Sequence, residues 1–297
     1  MKSRFFLRIT PGLLAGLLVL IVVIAGCKPK SSRPPLSADE VKTIAAVFEK
    51  VSSAHIQAWN SHDINLIGQL YTDDITYYET GNFPDANGTH EVSNIINMVL
   101  QGNPNYEGRQ IDTFIGHEDG FDICEIWNWS ESTKENPYHA YDWFTLRDSK
   151  IAAWWLFWDS ETSVALKKSI DQKPLQDYAT AWSSGDKETV ASLYDPKVFR
   201  QDSLYGENQQ GNSAIKEFAT NFFAWYPGVR LELQQSFKQC CALPPKIGGE
   251  YAIHVSDQAG KPCDVRAIIL LEVPHDKITK EWVFYNADSL IACGWAK

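Results

Sequence analysis

Apolar residues recur at steps of three and four through Val41, Ile44, Phe48, Val51, His55, Ala58 and Trp59, which predicts an amphipathic helix with His55 on its buried stripe. Ser37, with Glu40 three places on, supplies a capping box for its start. A second short helix runs from a cap at Ser61 or Asp63 to about Tyr71, and Ile75 to Thr80 alternates as a strand. Gly81 to Thr89 is loop material rich in Gly, Pro, Asn and Asp, and Glu91 to Leu100 suits a third helix. Four strand-like segments follow, about Arg109 to His117, Phe121 to Ser130, Tyr138 to Arg147 and Lys150 to Trp158, with turn residues at Asp119-Gly120, Thr133 to Pro137 and Asp148-Ser149.

The pattern then repeats. Trp59 to Thr80, WNSHDINLIGQLYTDDITYYET, has an ungapped counterpart 123 residues downstream at Trp182 to Ser203, WSSGDKETVASLYDPKVFRQDS. Trp59 matches Trp182, Asp63 matches Asp186, Leu70-Tyr71 matches Leu193-Tyr194, Glu79 matches Asp202, and Gly88 and Gly211 keep the same offset. One supersecondary unit used twice predicts a duplication, with repeats at about 37–162 and 163–297. In the second, Leu175, Tyr178, Ala179 and Trp182 form the helical stripe behind Pro174, and Tyr178 stands where His55 stood. Val198 to Ser203 is its first strand and Ser213 to Trp225 its third helix, ended by Pro227-Gly228. Further strands are expected near Val229 to Gln239, Gly249 to Asp257, Cys263 to Val273 and Lys277 to Asn286.

Alternation in the third of these puts Val265, Ala267, Ile269, Leu271 and Val273 inside. Aligning the hairpins through Lys150-Ile151 and Lys277-Ile278 places Ala140, Asp142, Phe144 and Leu146 on the same inward phase. Asp142 is therefore an interior acid whose counterpart is Ile269.

At 297 residues the chain has room for two cores, and 44% hydrophobic content argues against disorder outside the ends. The net charge is −10; setting aside Lys2, Arg4 and Arg8 in the first 27 residues leaves 24 basic against 37 acidic residues, or −13. That balance repels nucleic acid and anionic lipid, and no Gly-rich phosphate loop, His-Glu-x-x-His or Cys-x-x-Cys is present.

The N-terminal pattern is a basic start, an apolar run from Leu13 to Ile24, then Ile24-Ala25-Gly26-Cys27. It resembles a bacterial lipoprotein signal peptide ending in its lipobox, which implies cleavage before Cys27, acylation of that sulfur and attachment to a membrane of the bacterial cell envelope, on its periplasmic or cell-surface side. The alternative is an uncleaved anchor, for which Ile9 to Ala25 is near the lower length limit. Lys28 to Leu36 reads as a Pro-rich tether.

The order helix, helix, strand, helix and strand meander, with the aromatic-Asn-x-x-Asp and Leu-Tyr-x-Asp-Asp pieces at Trp59 to Asp74, resembles the nuclear transport factor 2-like superfamily, nearest in pattern to SnoaL-like polyketide cyclases and ketosteroid isomerases. The resemblance implies an α+β fold of two tandem cones, each a curved sheet and helices around an apolar pocket. It also implies that cones pair through their sheets, so a fused duplicate forms a pseudo-dimer within one chain; a homo-oligomer is the further option. The second repeat departs from the signature at Pro196-Lys197, where the first has an acidic pair.

By that resemblance Glu79 falls on the position of a catalytic base, Asp142 on that of a protonated acid and His55 on that of a donor. Apolar walls and a second nearby carboxylate both raise a carboxyl pKa, which suits such a trio to proton transfer of the isomerase, cyclase or dehydratase kind. The competing expectation is a core ion pair between His55 and either acid. Trp59, Trp127 and Phe144 are expected to line the first cavity, and Tyr178, Arg200 and Asp202 the second, where an Arg–Asp pair is expected. The expected ligand is a small, largely apolar molecule with a carbonyl or hydroxyl; the alternative is a non-catalytic envelope module for binding or assembly. No cofactor and no metal are expected. Cys240, Cys241, Cys263 and Cys293 suit two disulfides in an oxidising compartment, with three pairings open, and Cys124 reads as a buried thiol.

Overall fold

A computed structural model describes residues 36–79, 85–102, 104, 107–116, 122–130, 138–159, 171–205, 208–238, 246–256 and 260–295. The first repeat runs α1 (Ala38–Asn60), α2 (Ile64–Gln69), β1 (Tyr71–Glu79), β2 (Ala86–Asn87), α3 (Gly88–Gly102), β3 (Glu107–Ile115), β4 (Asp122–Ser130), β5 (Tyr138–Arg147) and β6 (Lys150–Asp159). The second follows the same order: α4 (Lys173–Ser183), α5 (Lys187–Ser192), β7 (Tyr194–Asp202), β8 (Asn208–Gln210), α6 (Asn212–Trp225), β9 (Arg230–Lys238), β10 (Lys246–Ser256), β11 (Pro262–Glu272) and β12 (Ile278–Asn286). A final helix, α7 (Ala287–Ala292), closes the chain.

Local chemistry sets the helix ends. Ser37 and Glu40 form the capping box of α1, and the expected stripe from Val41 to Trp59 is buried. Asp63 and Asp186 each accept two backbone N–H groups as the caps of α2 and α5, which gives both acids a structural post. Gly88 and Gly211 begin the third helix of each repeat with φ of +81°, a left-handed backbone that a side chain would strain. Their common offset in the sequence is thus a common backbone turn.

Both first strands begin earlier than alternation indicates, at Tyr71 and Tyr194. Each pairs in parallel with the last strand of its own repeat, starting immediately after α2 or α5, with a register shift between Tyr71 and Thr76 and a matching one beside Tyr194 to Phe199. Pro196 falls within that irregular stretch, where its missing N–H is tolerated. α7 was not expected: it follows β12 without a loop, started by the Asn286 side chain accepting from the Ser289 N–H at 2.9 Å.

The two sheets join edge to edge. β6 pairs antiparallel with β9 and β12 with β3, so β3 to β6 and β9 to β12 close into one ring. The two seams are equivalent, since β3 corresponds to β9 and β6 to β12. At one of them Asp112 on β3 accepts from Arg266 on β11 and, at 2.7 Å, from Asn286 on β12.

Alternation gives each meander strand two jobs. Ala140, Phe144 and Leu146, like Ala267, Ile269 and Leu271, face the helices. The opposite phase, Tyr141 and Trp143 from the first repeat with Ile268 and Leu270 from the second, joins Phe114, Phe157, Phe237 and Phe284 in a separate apolar cluster between the two sheets. There Tyr141 stacks on Phe237 with ring centres 4.0 Å apart. Burial of these rings helps hold repeat to repeat.

Candidate functional site

The interior of the first repeat is built around Trp154 on β6. Its ring lies 5.5 Å from His55, 5.9 Å from Trp59, 6.2 Å from Tyr71, 4.6 Å from Tyr77 and 5.9 Å from Phe144, centre to centre. Its indole N–H donates to Asp142 Oδ1 at 2.6 Å, and Asp142 is fully buried. His55 Nε2 accepts from the Trp59 indole at 2.9 Å and lies 3.1 Å from the Tyr71 hydroxyl, which places the ring proton on Nδ1. Burial pushes the Tyr71 phenol up, with nearby Asp142 adding to the effect and Trp59 opposing it, so Tyr71 keeps its proton.

Burial pushes the His55 imidazole down from 6.5 to about 3. A neutral ring whose Nε2 accepts from Trp59, with the Tyr71 hydroxyl beside it, is a core residue of this interior, and a charged pair with either acid would require the protonated form that burial disfavours. The sign of the pH effect follows. As pH falls below 6.5 the unfolded chain takes up a proton that folded His55 refuses, so stability drains away between about 6.5 and 3. By pH 4.5 the loss from this one residue is roughly 3 kcal/mol, at 1.36 kcal/mol per pH unit. In urea titrations, a His55→Asn variant should lose stability less steeply than wild type between pH 6.5 and 4.5; parallel slopes would contradict the assignment.

The second repeat holds a larger polar network. Arg200 on β7 donates from Nη2 to Asp202 at 2.7 Å, from Nε to Glu281 at 2.9 Å and from Nη1 to Gln209 at 2.9 Å. Glu281 on β12 also accepts from Tyr178 at 2.7 Å and Tyr194 at 2.6 Å, and Asp202 accepts from Tyr285 at 3.0 Å and the Leu204 N–H at 3.0 Å. The guanidinium lies over the Phe218 ring at 4.2 Å. All three charged groups are buried, and the two carboxylates drive the Arg200 pKa well above its usual value against the opposing effect of burial. Beside the network is a cavity of about 20 Å³ lined in part by Tyr178, Trp182, Arg200, Ile269 and Tyr285. That is room for a single water; small-molecule sites run to about 300 Å³ and more.

Sequence-predicted residues thus divide in three. His55, Trp59, Asp142 and Phe144 meet in the first interior. Tyr178, Arg200 and Asp202 meet in the second, where the expected Arg–Asp pair forms and a second acid joins it. Glu79 ends β1 opposite Leu156, and Trp127 lies on β4 opposite Ala140; their side chains, like that of Cys124, lie outside the described residues. Cys27, the signal segment, most of the tether, and Cys240 and Cys241 also lie outside them. Of the three open cysteine pairings the structure contains the Cys263–Cys293 bond, which ties the end of α7 to β11.

The sequence does not place Glu281 or Gln209 at the site, and Tyr194 stands out there only as the repeat match of Tyr71. For Glu281 the signal was present: Glu281, Val283 and Tyr285 share one phase of β12, and that phase faces the interior. Its counterpart is Trp154, since Trp154 faces Tyr77 across the parallel pair as Glu281 faces Arg200. The duplicated interiors have exchanged an aromatic centre for an ionic one at the same place.

Comparison with known proteins adds the family. Residues 53–154 match a SnoaL-like domain model and residues 173–292 a SnoaL-like polyketide cyclase model, together well over half the chain. No curated protein matches. Similar solved structures include a protein with a ketosteroid isomerase-like fold from Catenulispora acidiphila in complex with trimethylamine, 17% identical over 42% of this chain and 94% of that one, TM-score 0.38. A SnoaL-like protein from Burkholderia thailandensis is 17% identical over 38% and 94%, TM-score 0.34. A candidate polyketide cyclase from Bacillus cereus is 21% identical over 43% and 87%, TM-score 0.36. With both halves matched by SnoaL-like models, the chain belongs to the SnoaL-like proteins and carries two such domains in tandem.

Proposed function

We propose that the chain is an exported bacterial lipoprotein, held to the envelope through Cys27, whose paired domains serve as a non-catalytic assembly module that holds no small molecule in the first interior. The observation that carries this reading is the position of Trp154. Five rings pack on it at the centre of the first domain, where they occupy the interior between helix and sheet. In the second domain the buried cation is committed to two carboxylates and an amide, and the adjoining cavity is water-sized. A body charge of −13 argues against nucleic acid as a partner, and the pairing of the two sheets supports an intramolecular pseudo-dimer.

One observation favours a second reading, in which the first domain binds a small, largely apolar molecule and transfers a proton with Glu79 as base and Asp142 and His55 as donors. Asp142 is a wholly buried carboxylate beside a buried phenol, an arrangement that is costly unless it has a use. Native mass spectrometry of the protein taken from the cell envelope separates the two. The module reading expects the lipidated chain alone. A stoichiometric small molecule carried by wild type and released by Glu79→Gln or Asp142→Asn would overturn it in favour of the ligand reading.

A further inference from the structure

We propose that the end of α6, around Trp225, rests on the bilayer to which the chain is tethered, so that the protein lies on the membrane in one orientation; the proposal rests on the lipid-anchor reading above. Leu36, the last residue of the tether, is buried, and its N–H donates to the Leu204 carbonyl at 3.0 Å. The chain therefore enters the body on the second domain. The next residue, Tyr205, is buried and stacks on Trp225 with ring centres 5.5 Å apart and planes 15° from parallel. Trp225 itself is half exposed at the last position of α6. Nine residue steps separate Cys27 from Leu36, and a fully extended chain of that length reaches at most about 30 Å. An acylated Cys27 holds this entry point, and the indole beside it, within that reach of the lipid surface.

The chemistry of the face fits lipid. Thr220 to Trp225, the last turns of α6, carry no charge, nor does the Pro227-Gly228 turn beyond. Lys216, one turn earlier, is committed to Glu188 at 2.6 Å. An amphipathic indole at an uncharged helix end is the side chain that settles at a membrane–water interface. The tether makes even a weak contact count, because it turns docking into an intramolecular event at high effective concentration.

The test uses the mature chain purified from bacterial membranes and reconstituted in vesicles of phosphatidylethanolamine and phosphatidylglycerol with brominated acyl chains, which quench indole on contact. Wild type should lose tryptophan emission relative to unbrominated vesicles, and Trp225→Phe should remove at least half of that loss. Equal loss in both proteins, or none, while the protein still floats with the vesicles, overturns the docking and leaves the anchor standing. Failure to float overturns the anchor and the docking together. If a Cys27→Ala chain free of lipid sediments as a dimer and Trp225→Glu makes it monomeric, the face belongs to a second copy and the proposal is likewise overturned.

Discussion

Replacing Arg200 by alanine should cost about 3–5 kcal/mol in urea unfolding, because it strands two carboxylates in the second interior. Asp202 and Glu281 both lie against its guanidinium, and neither has appreciable exposure. The hydroxyls of Tyr178, Tyr194 and Tyr285 satisfy lone pairs on these acids, but they supply no positive charge. Glu281→Gln should therefore offset part of the damage, since an amide keeps an acceptor for one tyrosine and removes one charge. In a double-mutant cycle the paired change should cost less than the sum of the two single changes. An Arg200→Ala protein within about 1 kcal/mol of wild type would show that the network is open to water and that its ionic character has no structural weight.

The second large effect belongs to Trp154. Trp154→Ala should destabilise by about 3–5 kcal/mol and leave a hollow at the centre of the first domain, walled by aromatic rings and by the Asp142 carboxyl that has lost its indole donor. Indole, which restores both the ring packing and the donor to Asp142, and to a lesser degree benzene should fill it, so the variant should gain stability in their presence while wild type does not. Trp154→Phe keeps an aromatic packing partner but removes the donor to Asp142, and should cost about 1–3 kcal/mol. If wild type is itself stabilised by such probes, the interior is already open and the module reading loses its main support. The same comparison thus measures a packing energy and tests the proposed function.

Much of this architecture was legible in the chain. The stripe from Val41 to Trp59, the caps at Asp63 and Asp186, the paired Gly88 and Gly211, and the inward phase of Asp142 and Ile269 are all where periodicity and spacing put them. These features depend on neighbours within a turn or along a strand, where the backbone period dictates the face. The site was less legible. Reading each acid by its own strand found Asp142 and Asp202 but passed over Glu281, whose importance depends on Arg200 lying opposite it across a parallel pair. It also weighted the first repeat, where two acids and an imidazole were visible, while the denser ionic network assembled in the second.

By itself, the sequence determined that one unit was used twice, which residues face inward in each copy, and that the body of the chain is acidic. Only the tertiary structure decided what fills those interiors. Whether an inward side chain becomes wall, plug or ion partner depends on groups contributed by strands far apart in the chain, and no local period records that meeting. Trp154 and Glu281 hold the same place in the two copies, yet one became the hub of an aromatic core and the other the partner of a buried arginine, because Tyr77 faces the first and Arg200 the second.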